Sequence, residues 1–134
     1  MPLPVIVDTN FLTVPVQFGV DIFAEAERVL ERSVEFILLD SIIEEIKSKL
    51  QRAKRTEARM FRIAIEFSER CSVVSVNESM KVNPVDDQLL EFTKSVNGVL
   101  ATNDRELRAK AIAQGTPVLL LRGKKYLELE GSII

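Results

Sequence analysis

The sequence predicts an α/β fold in which helices cover both faces of a five-stranded parallel sheet. Short apolar segments alternate with longer amphipathic segments along all 134 residues. The apolar segments, such as "VIV" and "VLLL", are nearly continuous, which is typical of strands buried on both faces. No repeat or linker interrupts the alternation. The length fits one domain covering residues 1–134.

Five segments are predicted as strands because each is a short aliphatic run that ends in polar or turn-forming residues. They cover residues 3–8, 35–39, 72–76, 98–102 and 117–121. The tail "RGKKYLELEGSII" leaves room for a short edge strand. Its last residues, "GSII", are an apolar end that either folds back or packs on a partner.

The segments between the strands have the apolar spacing of amphipathic helices. Asp21 is expected to cap the first helix, and Asp40 and Ser41 the second. Gly98 and Gly115 are expected to end the last two helices. The predicted helices cover residues 20–33, 41–51, 54–70, 86–96 and 104–114.

Composition limits the chemistry that is available. The chain has no histidine and one cysteine, Cys71, which we interpret as a small core residue. A zinc site is therefore not expected, and metal chemistry would use oxygen ligands, which favours Mg²⁺ or Mn²⁺. The single cysteine suits a reducing cytosol, and "MPLPVIVD" does not look like a signal peptide, so a cytoplasmic location is expected.

Four of the six aspartates lie near the predicted carboxyl ends of strands, the edge where open α/β sheets bind ligands. Asp8 follows the first strand and Asp104 the fourth, while Asp86 and Asp87 open the helix before the fourth strand. Asp104 is equally explained as a helix cap, and Asp86 or Asp87 as a partner of the helix dipole. Asp8 has the weakest structural explanation, because no helix is predicted directly after it.

Clustered carboxylates need a compensating charge. Two of them about 5 Å apart repel by roughly 3 kcal/mol at an effective dielectric constant near 20. Such a cluster must bind protons, attract Lys or Arg, or hold cations. No basic residue lies within two positions of Asp8, Asp86 or Asp87. Divalent cations are therefore the simplest balance.

A basic segment precedes the third strand, although the net charge of the chain is −2. Residues 47–62, "KSKLQRAKRTEARMFR", contain seven Lys or Arg and one Glu. A helical wheel places four arginines within about 80°, opposite the apolar positions 58, 61, 64 and 65. The pattern predicts a phosphate-binding face, because the planar fork of arginine contacts two oxygens, although a solvated face explains it equally. These arginines are Arg52, Arg55, Arg59 and Arg62.

Four motifs resemble those of the PIN-domain nucleases. They are "VDTNFL" (7–12), "DSIIEEIKS" (40–48), "DDQLLEF" (86–92), and "ATNDREL" (101–107) before "GTPVLLL". They occur in order from the first strand to the fifth and cover nearly the whole chain. The chain is most similar to an archaeal branch near the ribosomal-RNA-processing PIN proteins and the VapC-type toxins.

The resemblance implies strand order 3-2-1-4-5 and an acidic pocket holding one or two Mg²⁺ or Mn²⁺ ions. The catalytic, metal-binding acids of the family fall on Asp8, Glu45, Asp87 and Asp104. Glu44 is the competing position for Glu45, and Asp86 for Asp87.

Thr9, Asn10, Thr102 and Asn103 resemble the hydroxyl and amide groups that orient carboxylates or water in such pockets.

The implied function is a Mg²⁺- or Mn²⁺-dependent endoribonuclease, acting in RNA processing or as a VapC-like toxin with an antitoxin. Members of the family often pair, so the resemblance also implies a homodimer. The alternative is a catalytically weak RNA-binding scaffold in a processing complex. A receiver domain fits less well because Arg122 stands where its lysine is expected. A haloacid-dehalogenase phosphatase would need an aspartate where Asn10 stands.

Overall fold

The computed structural model describes residues 2–133, in which six strands form one sheet of order β3-β2-β1-β4-β5-β6. The first five strands are parallel in the order that the resemblance implied. Strand β6 is antiparallel to β5 and forms the edge, so the sheet has six strands rather than five. The strands are β1 (Leu3–Val7), β2 (Val34–Leu39), β3 (Ser72–Val74), β4 (Val99–Ala101), β5 (Val118–Arg122) and β6 (Tyr126–Glu130).

The helices of the described residues are α1 (Val14–Phe18), α2 (Ile22–Leu30), α3 (Asp40–Arg52), α4 (Arg55–Ser68), α5 (Glu78–Lys81), α6 (Val85–Ser95) and α7 (Arg105–Ala113). A 3₁₀ helix, Thr9–Thr13, follows β1. The prediction that no helix directly follows Asp8 was therefore wrong. Helices this short show no apolar periodicity in the sequence, which also explains why α1 and α5 were not predicted.

Helices cover both faces of the sheet at its centre. The side chains of Val5, Ile6 and Val7 are all fully buried, as are those of residues 99–101 in β4. Since successive side chains of a strand point to opposite faces, neither face of these strands is open to solvent. Helix α6 packs on β1 and β4, α7 on β5, and α2 on β6. Helices α3 and α4 pack on each other and on the 3₁₀ helix.

The predicted caps were correct in part. Asp21 caps α2 by accepting from the backbone N–H groups of residues 23 and 24, and Gly115 follows α7 with a φ of +79°. Asp40 was wrongly predicted as a cap, because it lies in the first turn of α3 and accepts from the Val76 N–H at 3.3 Å. Ser41 likewise does not cap α3, since its hydroxyl donates to Gln88 at 2.8 Å.

Gly98 was also wrongly predicted as the residue that ends its helix. Asn97 takes the left-handed conformation instead, with a φ of +53°, and the Gly98 N–H donates to the Thr93 carbonyl at 3.0 Å. Glycine is required at 98 for another reason. A Cβ there would lie 2.8 Å from the Pro4 carbonyl oxygen and 2.9 Å from the Ile6 side chain. The close approach of β4 to β1 therefore selects glycine.

Two further expectations concern apolar residues. Cys71 is half-buried against the core, as predicted, and burial raises the pKa of its thiol to about 11. Ile133 folds back onto the core, while Ile134 lies outside the described residues. Within residues 2–133, no helix has the length and apolar character needed to cross a membrane.

Candidate active site

Asp8 stands where β1 ends, and its side chain is only 8% exposed. Its Oδ1 accepts from the Thr9 N–H at 2.7 Å, and its Oδ2 accepts from the Thr102 hydroxyl at 2.8 Å. The first bond begins the 3₁₀ helix. The second bond joins the ends of β1 and β4. Val7 pairs with Ala101, so the residues that follow them, Asp8 and Thr102, lie side by side. The backbone pairing of the two central strands therefore fixes this carboxylate.

The pKa of Asp8 is raised above its ordinary value, chiefly because burial disfavours the charged form. The hydrogen bonds from Thr102 and Thr9 oppose this shift, since they stabilise the carboxylate. Repulsion from Asp86 and Glu45 adds to it. Asp8 is thus a buried acid in the field of two other acids.

Thr102 and Asp104 extend this network from the end of β4. The Thr102 hydroxyl is fully buried and also accepts from the Asp104 N–H at 3.1 Å. The Oδ1 of Asp104 accepts from the Leu107 N–H at 2.9 Å and caps α7. The capping explanation for Asp104 is therefore correct, and this does not remove its carboxylate from the acid cluster described below.

Glu45 reaches the same edge of the sheet from α3. Its Oε2 accepts from the Thr9 hydroxyl at 2.9 Å, and its Oε1 lies 3.3 Å from the Lys49 ammonium. Glu44 is exposed. Lys49 is four residues after Glu45, a spacing at which acid and base on a helix commonly pair.

Asp86 and Asp87 differ in their surroundings. The pKa of Asp86 is raised by partial burial and by repulsion from Asp104, Glu45 and Asp87, while Lys110 opposes the shift. Asp86, rather than Asp87, is also the acid whose charge acts on Asp8. Adjacent helical residues lie about 100° apart, so only one of the pair faces the strand ends. We define Asp8, Glu45, Asp86 and Asp104 as the acid cluster.

The two predicted asparagines do not contact the acid cluster as Thr9 and Thr102 do. The Asn103 amide oxygen accepts from the Leu121 N–H at 2.8 Å, because Asn103 leaves β4 beside β5. The backbone carbonyl of Asn10 accepts from the Thr13 hydroxyl at 2.7 Å, and its side chain is exposed. Both side chains line a neighbouring cavity, which includes Phe18 and Phe61.

The four predicted arginines are exposed but do not share one helix. Arg52 is the last residue of α3, and Arg55, Arg59 and Arg62 lie on α4. The backbone is extended at residues 53 and 54, so the single helical wheel was wrong for Arg52. The opposite face of α4 packs as predicted, with residues 58 and 64 buried and 61 and 65 half-buried.

No three Asp, Glu, Cys or His side chains within residues 2–133 stand close enough together to form a metal-binding group. The acid cluster nevertheless suits a hard divalent cation. All four of its members offer carboxylate oxygens, and the buried member, Asp8, is repelled by two of the others. Lys49 and Lys110 supply part of the compensating charge. The site thus contains the oxygen donors, with two of the acids facing lysines.

A parallel 3-2-1-4-5 order with acids at the carboxyl ends of its two central strands places the chain in the class of α/β proteins that bind ligands at that edge of the sheet. The chain belongs to the PIN-like domain family, which it matches over residues 5–124. Ribonuclease VapC4 of Methanocaldococcus jannaschii is 30% identical to it over 132 residues, 96% of this chain and 98% of that protein.

Solved structures share the fold. The PIN domain endonuclease Utp24 superposes with a TM-score of 0.79 at 23% identity, covering 98% of this chain and 94% of that chain. A chain of VapBC2 from Rickettsia felis, bound to a DNA fragment from its promoter, superposes with a TM-score of 0.58 at 12% identity, covering 90% of this chain and 100% of that chain. A domain of a functionally unknown protein from M. jannaschii superposes with a TM-score of 0.61 at 16% identity, covering 90% of this chain and 92% of that chain. At these identities the likeness concerns the fold alone.

Proposed function

We propose that this chain is an endoribonuclease of the PIN type that depends on Mg²⁺ or Mn²⁺. The observation that carries the proposal is the buried Asp8 carboxylate, which Thr9 and Thr102 hold beside Glu45 and Asp86. The PIN-like family and the 30% identity to a ribonuclease support RNA as the substrate. Perturbed acids gathered at one end of a sheet are typical of functional sites.

Asp8, Glu45, Asp86 and Asp104 are the residues that would hold the metal, and binding would draw their carboxylates closer together than they stand in the described residues. Asp86 replaces Asp87 in this proposal, because the charge of Asp86 acts on Asp8 and Glu45 acts on Asp86. A bound divalent ion would lower the pKa of a water molecule and stabilise the charge that develops on the phosphate.

The protein's own residues position these ligands. The Thr9 N–H and the Thr102 hydroxyl fix both oxygens of Asp8, and the Thr9 hydroxyl fixes one oxygen of Glu45. A carboxylate held at both oxygens cannot turn away from the cluster, which preserves its orientation for a ligand. We expect cleavage to leave a 5′-phosphate and a 3′-hydroxyl.

The exposed arginines would bind the RNA backbone. Arg55, Arg59 and Arg62 form an exposed basic face on α4, and Arg52 lies just before it at the end of α3. Helix α4 packs on α1 and on the 3₁₀ helix that follows Asp8. A strand of RNA lying along α4 would therefore reach the acid cluster, with affinity that falls as salt rises.

The biological role is either toxin or processing enzyme. The likeness to ribonuclease VapC4 favours a toxin restrained by an antitoxin, and the fold of Utp24 keeps RNA processing as the second possibility. A homodimer is part of the same proposal. A catalytically weak scaffold is the alternative function, favoured by the lysines that face two of the acids.

The deciding experiment compares wild type with Asp8→Asn on labelled single-stranded and hairpin RNA, in Mn²⁺, Mg²⁺ or EDTA. Asp21→Asn is the matched control, because Asp21 caps α2 outside the cluster and asparagine caps helices equally well. Cleavage by wild type and by the control, but not by Asp8→Asn or in EDTA, is expected. Equal cleavage by all three proteins would refute the mechanism. No cleavage, with no effect of metal on the melting temperature, would favour the scaffold.

The same assay separates Asp86 from Asp87. Asp86→Asn is expected to reduce cleavage at limiting Mn²⁺ far more than Asp87→Asn does, since Asp86 is the one of the two whose charge raises the pKa of Asp8. A larger loss with Asp87→Asn would restore Asp87 as the ligand.

A further inference from the structure

A cavity of about 550 Å³ lies beside the acid cluster. It is lined by Asn10, Thr13, Gln17, Phe18, Met60, Phe61, Asn103, Leu121, Gly123 and Lys124. Asn10 is two residues beyond Asp8, so their Cα atoms are at most about 7.6 Å apart. Asn103 directly precedes Asp104. The cavity therefore opens at the same edge of the sheet as the acids and would adjoin any phosphate held there.

We propose that this cavity binds an unstacked nucleobase of the RNA, next to the phosphate that is cleaved. The inference rests on the proposed ribonuclease function and adds a base-recognition subsite to it.

The walls offer the apolar surface that a base requires. Phe18 is 39% exposed, and Phe61 is half-buried beside it, with Met60 and Leu121 completing the apolar lining. An aromatic face available to one base contributes about 1–3 kcal/mol of stacking and accepts any base type.

The polar groups of the cavity suit the edges of a base. The Asn103 amide oxygen is taken by the Leu121 N–H, so its amide NH₂ is the group left to donate. The Gln17 amide N–H donates to the Met60 sulfur at 3.4 Å, which leaves the Gln17 carbonyl oxygen free to accept. Asn10 offers both kinds of group. Donors and acceptors beside aromatic faces are the means by which unstacked bases are recognised.

Charge favours RNA over a protein segment as the occupant. The Lys124 ammonium lies 5.7 Å from the centre of the Phe18 ring, at the wall of the cavity. Phe61 lines the cavity from the packed face of α4, opposite the arginines, so Lys124 is the cationic side chain of the cavity lining. A base in the cavity would have this ammonium near a neighbouring phosphate.

The test removes one base at a time from an RNA whose cleavage site has been mapped. Wild type, Phe18→Ala, Phe18→Leu and Tyr126→Ala are compared by kcat/KM. Tyr126 is the matched control, an aromatic that is 48% exposed on β6 and outside the cavity. Phe18→Leu keeps apolar bulk without the aromatic face, and melting curves verify the fold of each variant.

For wild type and Tyr126→Ala, one abasic position near the cut is expected to lower kcat/KM by about 5- to 150-fold, the equivalent of stacking one base. The same abasic substrate should cause little further loss in either Phe18 variant. An equal abasic effect in all proteins, or no sensitive position, would overturn the inference and leave the ribonuclease proposal intact.

RNA affinity provides a second readout that does not depend on catalysis. The same RNAs and Phe18 variants are compared by fluorescence anisotropy in EDTA. If wild type binds RNA without cleaving it, the coupling between Phe18 and one base should persist in the dissociation constants, and the ribonuclease proposal alone would fail. Failure of RNA to bind, or binding that is indifferent to Phe18, would overturn the subsite.

Discussion

Replacing Thr102 with valine should destabilise the protein more than so small a change in side-chain shape suggests. The Thr102 hydroxyl is fully buried, donates to Asp8 at 2.8 Å and accepts from the Asp104 N–H at 3.1 Å. Valine has nearly the same shape but neither function. The substitution would leave a buried carboxylate short of one donor and a backbone N–H without its acceptor.

The magnitude follows from these two bonds. A hydrogen bond to a charged group contributes about 1.5–3 kcal/mol and a neutral one about 1 kcal/mol, so the free energy of unfolding should fall by about 3 kcal/mol. For 134 residues, this corresponds to a decrease in melting temperature of about 10 °C. Thr102→Ser keeps the hydroxyl and loses one buried methyl, so it should cost only about 1 kcal/mol.

The loss should also depend on pH. The folded-state pKa of Asp8 lies above its ordinary value, so the ionised carboxylate costs stability, and this cost appears as pH rises through that pKa. The bond from Thr102 lowers the pKa and reduces the cost. Removing it should therefore destabilise the protein most near neutral pH and least in acid, where Asp8 is protonated.

Thermal melts of wild type, Thr102→Val and Thr102→Ser in EDTA at several pH values test the argument. A valine variant that is no less stable than the serine variant at about pH 7 would refute it. So would a difference between the two variants that stays constant from neutral to acidic pH, because the bond would then not stabilise the charged form of Asp8.

Two further predictions concern RNA affinity and packing. Replacing both Arg55 and Arg59 by serine should weaken RNA binding. It should also reduce the magnitude of the slope of log K against log[salt] by about 1.4 for single-stranded RNA, as measured by anisotropy titrations. Arg32→Ser, an exposed position outside the basic face, is the control, and an unchanged slope would remove Arg55 and Arg59 from the interface. Gly98→Ala should lower the melting temperature by about 4–10 °C, because its Cβ would meet the Pro4 carbonyl oxygen at 2.8 Å. Cleavage well below that temperature should be unchanged, and an unaltered melting temperature would contradict the close approach of the two strands.

The sheet was predictable because its strands are buried on both faces. An aliphatic run as short as residues 118–121 fits few structures other than a buried strand. The five parallel strands lie within a residue or two of their predicted positions. The alternation with helices then predicts parallel pairing, whereas the order 3-2-1-4-5 came only from the resemblance. The edge strand β6 was less certain, since "YLELE" alternates and is half-exposed.

The details of the site depended on contacts that no local pattern encodes. The sequence places Asp8 and Thr102 at strand ends, but only the pairing of Val7 with Ala101 brings their side chains together. The proposed preference for Asp86 over Asp87 rests on which of the two charges acts on Asp8, and this depends on the three-dimensional position of α6. The break between α3 and α4 separated Arg52 from the other arginines, because residues 53 and 54 are extended.

The fold offsets the repulsion among the carboxylates of the acid cluster in a way that composition alone did not predict. Clustered carboxylates can be balanced by protons, by basic partners or by cations, and the lack of basic residues close to Asp8, Asp86 and Asp87 in the chain favours divalent cations. The fold brings Lys49 to Glu45 and Lys110 toward Asp86, while the pKa of Asp8 shifts toward protonation. Lys49 pairs with Glu45 at a partly exposed helix position, where an ion pair contributes at most about 1 kcal/mol, so a divalent ion can displace it at little cost. Asp8 has no such partner among the described contacts and remains the acid with the most to gain from a cation.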